Sequence, residues 1–230
     1  MGGRLFLIRH AQSEANAAGL IETALPGTPL TPLGQEQAAK LPVRLADHGI
    51  ARVLCSTATR SRQTATPLAA ALGLELEVFA DLAETVCGEL DGRGAEALEI
   101  YQAIMHRWLA GERDLKVPGG ESWNECRDRA MSVLDGLPPA PWPHDIALVG
   151  HAGTNRILLN TLVGDEAAAD TGFQVNTGII ELEPLAGSSS PGWRLARVEG
   201  IIGNAAEVDQ FHQNKKPSRS RIAGGPSTAR

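Results

Sequence analysis

The chain has 230 residues, 43% of them hydrophobic and 21% charged, with a formal net charge of −6; these values suit one sizeable α/β domain of an ordinary globular protein. The charge is uneven, because five basic residues and no acidic one follow His212, which leaves −11 for residues 1–211. An acidic body speaks against nucleic acid as the main partner, since such binding rests on phosphate neutralisation, but a small phosphorylated ligand feels only its local pocket.

Three cysteines, Cys55, Cys87 and Cys126, are far apart and contain no Cys-x-x-Cys, so they form neither a disulfide framework nor a zinc motif. The N-terminal apolar run is broken at Arg9 and is too short for a secretion signal. No stretch is long and apolar enough to span a bilayer. The expected setting is the reducing cytoplasm, with no membrane partner, and a homodimer is left open.

Leu5 to Ile8 is a continuous apolar run that stops at Arg9-His10, the pattern of a buried parallel strand with polar residues at its carboxyl end. In open α/β sheets that end faces the ligand crevice, so a cation pair there invites an anion. Ala17 to Thr31 is rich in Gly, Pro and Thr without periodicity and reads as a loop, either a pocket wall or a plain connector. Thr31-Pro32 starts a helix, with Thr as N-cap and Pro at the first helical position. Apolar positions at Ala38, Leu41 and Leu45 carry it toward His48-Gly49, with a kink or break at Pro42.

Ile50 to Cys55 predicts a second strand, followed by a helix through Pro67 to Leu72 that Gly73 stops. Leu74 to Phe79 alternates apolar and acidic residues, as a half-exposed edge strand does. Residues 95–110 predict a helix with an apolar stripe at Leu98, Tyr101, Met105 and Trp108 or Leu109, usually a sign of core packing. Another helix runs from Ser122-Trp123 to about Leu134, and the Pro-rich stretch Leu137 to His144 excludes regular helix and central strand. Ile146 to Gly150 is a second apolar run, and it delivers His151 just before a helix-like segment. Thr177 to Leu182 and Trp193 to Val198 predict two late strands. Residues 212–230 are basic, polar and rich in Pro, Gly and Ser, and are expected to form a disordered tail behind a domain of residues 1–211.

Of the six histidines, only His10 and His151 fall at strand ends in a motif. Leu-Ile-Arg9-His10 with Asn16, and Val149-x-His151-x-Gly153-Thr154, resemble the histidine phosphatase (phosphoglycerate mutase-like) superfamily, with five segments matching in order over roughly residues 4–185. The resemblance implies an α/β fold, a single three-layer α/β/α domain with a mostly parallel central sheet and helices on both faces. Ser56-x-x-x-Arg60-x-x-Gln63-Thr64-Ala65 is similar to a family motif that puts Arg60 in the pocket. Leu82-x-Glu84-x-x-x-Gly88-x-x-x-Gly92 is similar to the stretch carrying the family's acid, which makes Glu84 the matching carboxylate; Leu90 departs from the aromatic common there. Pro118 to Trp123 matches a further segment, with Glu121 either an orienting carboxylate or a plain charge at the start of a helix. The helix at 95–110 would then be a lid, because the family places helical insertions above its site.

By this resemblance His10 is the nucleophile, Arg9, Arg60 and His151 hold the phosphoryl oxygens, Asn16 and the backbone N–H of Ala152 add donors, and Glu84 is the proton donor. Arginine and histidine supply the positive charge, so neither a metal nor a cofactor is expected. Ala11 and Ala152 replace the family's usual glycines, which the backbone tolerates wherever φ is negative. The expected activity is a metal-independent phosphomonoesterase acting on a small phosphorylated metabolite through a phosphohistidine at His10. Two alternatives are a cofactor-dependent phosphoglycerate mutase and a catalytically weak phospho-ligand binder of the same fold. Only 66 residues separate Glu84 from His151, whereas the family's mutases share a longer insertion there, and the 17–31 loop lacks their aromatic pattern. Both features favour the phosphatase.

Overall fold

In the computed structural model, residues 2–138, 142–169, 171–185 and 192–202 are described; the expected tail, 212–230, and the domain end at 211 lie outside them. Six strands form one sheet: β1 (Leu5–Arg9), β2 (Ile50–Ser56), β3 (Leu76–Phe79), β4 (Asp145–Gly150), β5 (Phe173–Pro184) and β6 (Trp193–Ile202). Their order is β3-β2-β4-β1-β5-β6. The first four run parallel, and β5 and β6 add an antiparallel edge. Because β1 and β4 are paired on both sides and covered on both faces, their side chains are buried without alternation, which is why they read as continuous apolar runs.

The helices are α1 (Glu14–Ala18), α2 (Pro32–Ala39), α3 (Leu41–Arg44), α4 (Thr59–Leu72), α5 (Ala95–Leu109), α6 (Trp123–Asp135), α7 (Ala152–Val163) and α8 (Asp165–Ala168). Successive strand residues point to opposite faces. Leu5, Leu7, Leu54 and Leu148 pack with Ala130 and Leu134 of α6 and Leu158 and Leu159 of α7. On the other face Phe6, Ile8, Val53 and Val149 pack with Leu41 of α3 and Ala65, Leu68 and Ala69 of α4. These two clusters are the two interfaces of a three-layer sandwich. A third, which includes Ile104, Met105, Trp108, Val117, Trp123 and Ile157, lies beneath α5.

Local signals act where the chemistry predicts. The expected helix from Thr31 breaks after Ala39 and resumes at Leu41, because the Pro42 ring clashes with the carbonyl four residues back and cannot donate to it. Gly73 ends α4 in the left-handed conformation. Ser122 and Glu125 form a reciprocal capping box at the start of α6. Several boundaries differ: α3 stops at Arg44, short of His48, β3 begins at Leu76 rather than Leu74, and β6 runs on to Ile202. The largest difference is at β5, which begins at Phe173, not Thr177, and whose pairing with β6 slips between Gln174 and Ile179. That bulge hides the strand's first residues from any period-2 reading. Within it Thr177 takes a φ of 58°, an outlier for a β-branched residue.

Register sets up the site. Arg9 is level with Gly150, and Cys55 with Val149, so β2, β4 and β1 end together. The His10 N–H donates to the Gly150 carbonyl at 2.9 Å, and His10 and His151 leave adjacent strands side by side.

Candidate active site

A cavity of about 210 Å³ opens at these strand ends. Its polar floor is built from Arg9 at the end of β1, His10 just after it, Arg60 in the first turn of α4, and the start of α7. His10 is buried, and its Nδ1 lies 2.7 Å from the Ala11 carbonyl. A carbonyl can only accept, so Nδ1 carries the proton and Nε2 presents a lone pair. Arg60 Nε donates to that Nε2 at 3.1 Å. Burial, reinforced by Arg60 and Arg9, holds the ring's pKa well below 6.5.

His151 is buried 5.2 Å away, ring centre to ring centre. Its Nδ1 accepts from Arg60 Nη2 at 3.3 Å, which leaves Nε2 to donate to Ser56 Oγ at 2.7 Å. Its pKa is likewise well below 6.5, first through burial and then through Arg60. One guanidinium therefore bridges both histidines. Glu22 steadies it from the 17–31 loop, accepting from Nη1 on Oε2 at 3.1 Å and from Nη2 on its carbonyl at 2.9 Å.

Arg9 donates through Nη1 to the Gln174 carbonyl at 2.7 Å, while its Nε is buried with no partner among the described residues. Asn16 Oδ1 accepts from Asn176 Nδ2 at 3.0 Å, and that same Asn176 amide donates to the His10 carbonyl at 3.1 Å. The acceptor end of Asn16 is thus occupied and its donor end remains for a ligand. Ala152 lines the cavity as the first residue of α7, where backbone N–H groups face outward. Among the described residues Thr177 is the one non-glycine with positive φ, so Ala11 and Ala152 both hold ordinary backbone.

Glu84 caps α7. Its Oε1 accepts from Thr85 N at 2.9 Å and Thr154 N at 2.9 Å, and its Oε2 accepts from Gly153 N at 3.1 Å, while the single Thr154 hydroxyl hydrogen goes to the Ala83 carbonyl at 2.8 Å. Arg129 fastens the supporting loop by donating to the carbonyls of Asp81, Ala83 and Glu84. Glu121 pairs with Arg129 at 2.8 Å and accepts from Val86 N. It orients the loop that carries the acid without reaching the cavity.

Residues 5–191 match the family model of the histidine phosphatase superfamily, branch 1. The chain belongs to that superfamily. A probable phosphoglycerate mutase, GpmB, of Escherichia coli O1:K1 is 30% identical over 168 residues, or 73% of this chain and 78% of that protein. Among solved structures, a mycobacterial glucosyl-3-phosphoglycerate phosphatase in complex with VO3 superposes with a TM-score of 0.72 at 24% identity, covering 87% of this chain and all of that one. A putative alpha-ribazole-5'-P phosphatase from Escherichia coli K-12 gives 0.68 at 25% identity, covering 89% and 100%.

All seven residues singled out in the sequence meet around this superfamily cavity: Arg9, His10, Asn16, Arg60, Glu84 and Ala152 line it, and His151 stands against His10. Sequence reasoning passed over Glu22, Tyr101 and the bulge residues Gln174 to Asn176, which also line it. The acidic Glu22 in an otherwise uncharged loop was the available signal for the first. The stripe on α5 packs as core through Trp108, while Leu98, Tyr101 and Met105 also line the cavity.

The two histidines tie stability to pH. In the unfolded chain each takes its proton near pH 6.5, but in the folded chain each resists it, so acid favours unfolding. Their contribution is intact above about pH 6.5 and falls below it by up to about 1.4 kcal/mol per pH unit for each ring. Melting temperatures between about pH 7.5 and 5 should therefore drop, and drop less in a His10→Asn/His151→Asn variant. An unchanged slope in the variant would acquit both rings.

Proposed function

We propose that the chain is a phosphomonoesterase that moves the phosphoryl group of a small metabolite onto His10 Nε2 and then to water, with no metal required. The observation that carries this reading is the fixed tautomer of His10: Nδ1–H is anchored on the Ala11 carbonyl, and Nε2 keeps its lone pair beside a cavity whose lining includes Arg9 and Arg60. That is a nucleophile beside a waiting anion donor. Arg60 Nε and an incoming phosphorus compete for the same lone pair, so a phosphoryl oxygen takes over the Arg60 donor as the N–P bond forms. Arg9, Asn16 and the Ala152 N–H bind the remaining oxygens, while His151, whose two ring nitrogens are taken up by Ser56 and Arg60, holds Arg60 in place rather than donating to an oxygen itself.

When the P–O bond to the alcohol breaks, Glu84 gives that oxygen its proton. Two backbone N–H groups already occupy Oε1 and only one reaches Oε2, so the proton rides on Oε2. In the second half Glu84 takes a proton from water, the water oxygen attacks phosphorus, the N–P bond breaks and inorganic phosphate leaves.

The named activities of the relatives diverge between mutase and phosphatase, and the short interval of 66 residues between Glu84 and His151 favours hydrolysis. A mutase must shield its phosphohistidine from water while the intermediate turns over. The test incubates the protein with 3-phosphoglycerate, with and without 2,3-bisphosphoglycerate, and with a chromogenic phosphate ester. Free phosphate should be the main product. Isomerisation to 2-phosphoglycerate outpacing phosphate release would establish a mutase, and inertness toward every ester would leave only a binder.

A further inference from the structure

Tyr101 sits mid-way along α5 and lines the same cavity as Glu84. Its hydroxyl oxygen is buried and has no hydrogen-bond partner among the described residues. Thr85 is a polar neighbour, but the pair does not meet hydrogen-bond geometry. A methyl group built on Gly153 would stand 2.6 Å from Tyr101 Oη and 2.8 Å from Glu84 Oε1. Thr85 Oγ1 is 3.1 Å from the same position, so the Tyr101 hydroxyl and the Glu84 carboxylate lie close together against the first turn of α7, with Oε2 the carboxylate oxygen on the far side from this contact.

The ring cannot easily turn elsewhere. It packs edge-on against Trp108 at 6.2 Å, and Trp108 packs against Trp123 at 6.2 Å; both indoles are fully buried, and Trp108 Nε1 donates to the Leu115 carbonyl at 2.7 Å. Burial and the nearby Glu84 carboxylate push the phenol well above its usual pKa, so it is a neutral O–H donor and never a base at working pH. A buried donor without a partner in the empty site is satisfied when a ligand brings an acceptor.

We propose that Tyr101 is a catalytic residue for the leaving group: its O–H donates to the ester oxygen of the phosphomonoester, beside the proton that Glu84 delivers. As the P–O bond breaks, negative charge grows on that oxygen and the Tyr101 hydrogen bond strengthens with it. Glu84 transfers its proton there, and Tyr101 keeps its own. The assignment rests on the phosphoryl-transfer reading above.

Tyr101→Phe removes the hydroxyl and keeps the aromatic packing. Single-turnover phosphorylation by n-butyl phosphate should slow on the order of 10- to 100-fold, and that by p-nitrophenyl phosphate by about 3-fold or less, because only the poor leaving group needs the donor. Inhibition by inorganic phosphate should stay within about 2-fold, since that ion sits among the arginines. A purely structural role would change both esters alike. Equal losses, or no loss, with an active parent protein would overturn the Tyr101 assignment alone. A parent that binds phosphate yet phosphorylates from neither ester would overturn the phosphoryl-transfer reading and this one with it.

Discussion

His10→Ala is expected to abolish turnover, with a loss of about 10³-fold or more, while the protein stays folded. The neighbouring imidazole cannot substitute, because His151 is fully buried and, unlike His10, does not line the cavity. Arg60 loses one contact in the variant but keeps both bonds to Glu22, so the anion site survives. The measurement pairs phosphate release with trapping of the phosphoenzyme, which should be acid-labile and alkali-stable in the parent and missing in the variant. An acid-stable, alkali-labile adduct, or full activity without His10, would refute the nucleophile assignment. Inorganic phosphate should still bind the variant, which separates lost chemistry from lost structure.

Glu84→Gln should slow alkyl phosphate cleavage by about 10²- to 10⁴-fold, because a poor leaving group must receive a proton in the transition state. Aryl esters should suffer much less in the phosphorylation step, whereas hydrolysis of the phosphoenzyme, which needs a base, should slow for both. The substitution also touches structure. If the amide oxygen keeps the bonds from Thr85 and Thr154, the amide nitrogen faces the Gly153 N–H, donor against donor. One cap bond of α7 is lost, at about 1 kcal/mol, so a small drop in melting temperature should accompany the kinetic defect. Equal losses for alkyl and aryl esters in single-turnover phosphorylation would remove Glu84 from the acid role.

The sheet's contribution was readable because a strand buried on both faces is apolar throughout, and its end is marked by the first polar residues: Arg9-His10, Ser56 and His151. Order along the chain could not say that these ends lie level; that comes from the register of β1, β4 and β2. Glu84 was found through its motif alone, since nothing in a carboxylate's flanking sequence announces that it will cap a helix that begins at residue 152. The residues that escaped notice share a different cause. Gln174 to Asn176 lie in a bulge that breaks alternation, Glu22 in a loop without period, and Tyr101 in a stripe whose spacing is the same whether it meets core or cavity. Periodicity reports that a face is covered and is silent about what covers it.

The separate cluster beneath α5 has a consequence for how such a protein can be altered. Residues assigned to phosphoryl chemistry ride on the two clusters that sandwich the sheet, whereas much of the wall facing the alcohol, Leu98, Tyr101 and Met105 together with Ile21, belongs to the third. The wall is nevertheless rooted in the layer below it, because the third cluster also takes in Trp123 and Cys126 of α6 and Ile157 of α7, and Asp91 holds Thr23 next to the Glu22 that steadies Arg60. Single substitutions at Leu98 or Met105 should therefore redirect selectivity among alcohols while the strand-end chemistry persists, whereas exchange of the whole segment from residue 88 to 117 should disturb both, since groups that share partners do not combine additively.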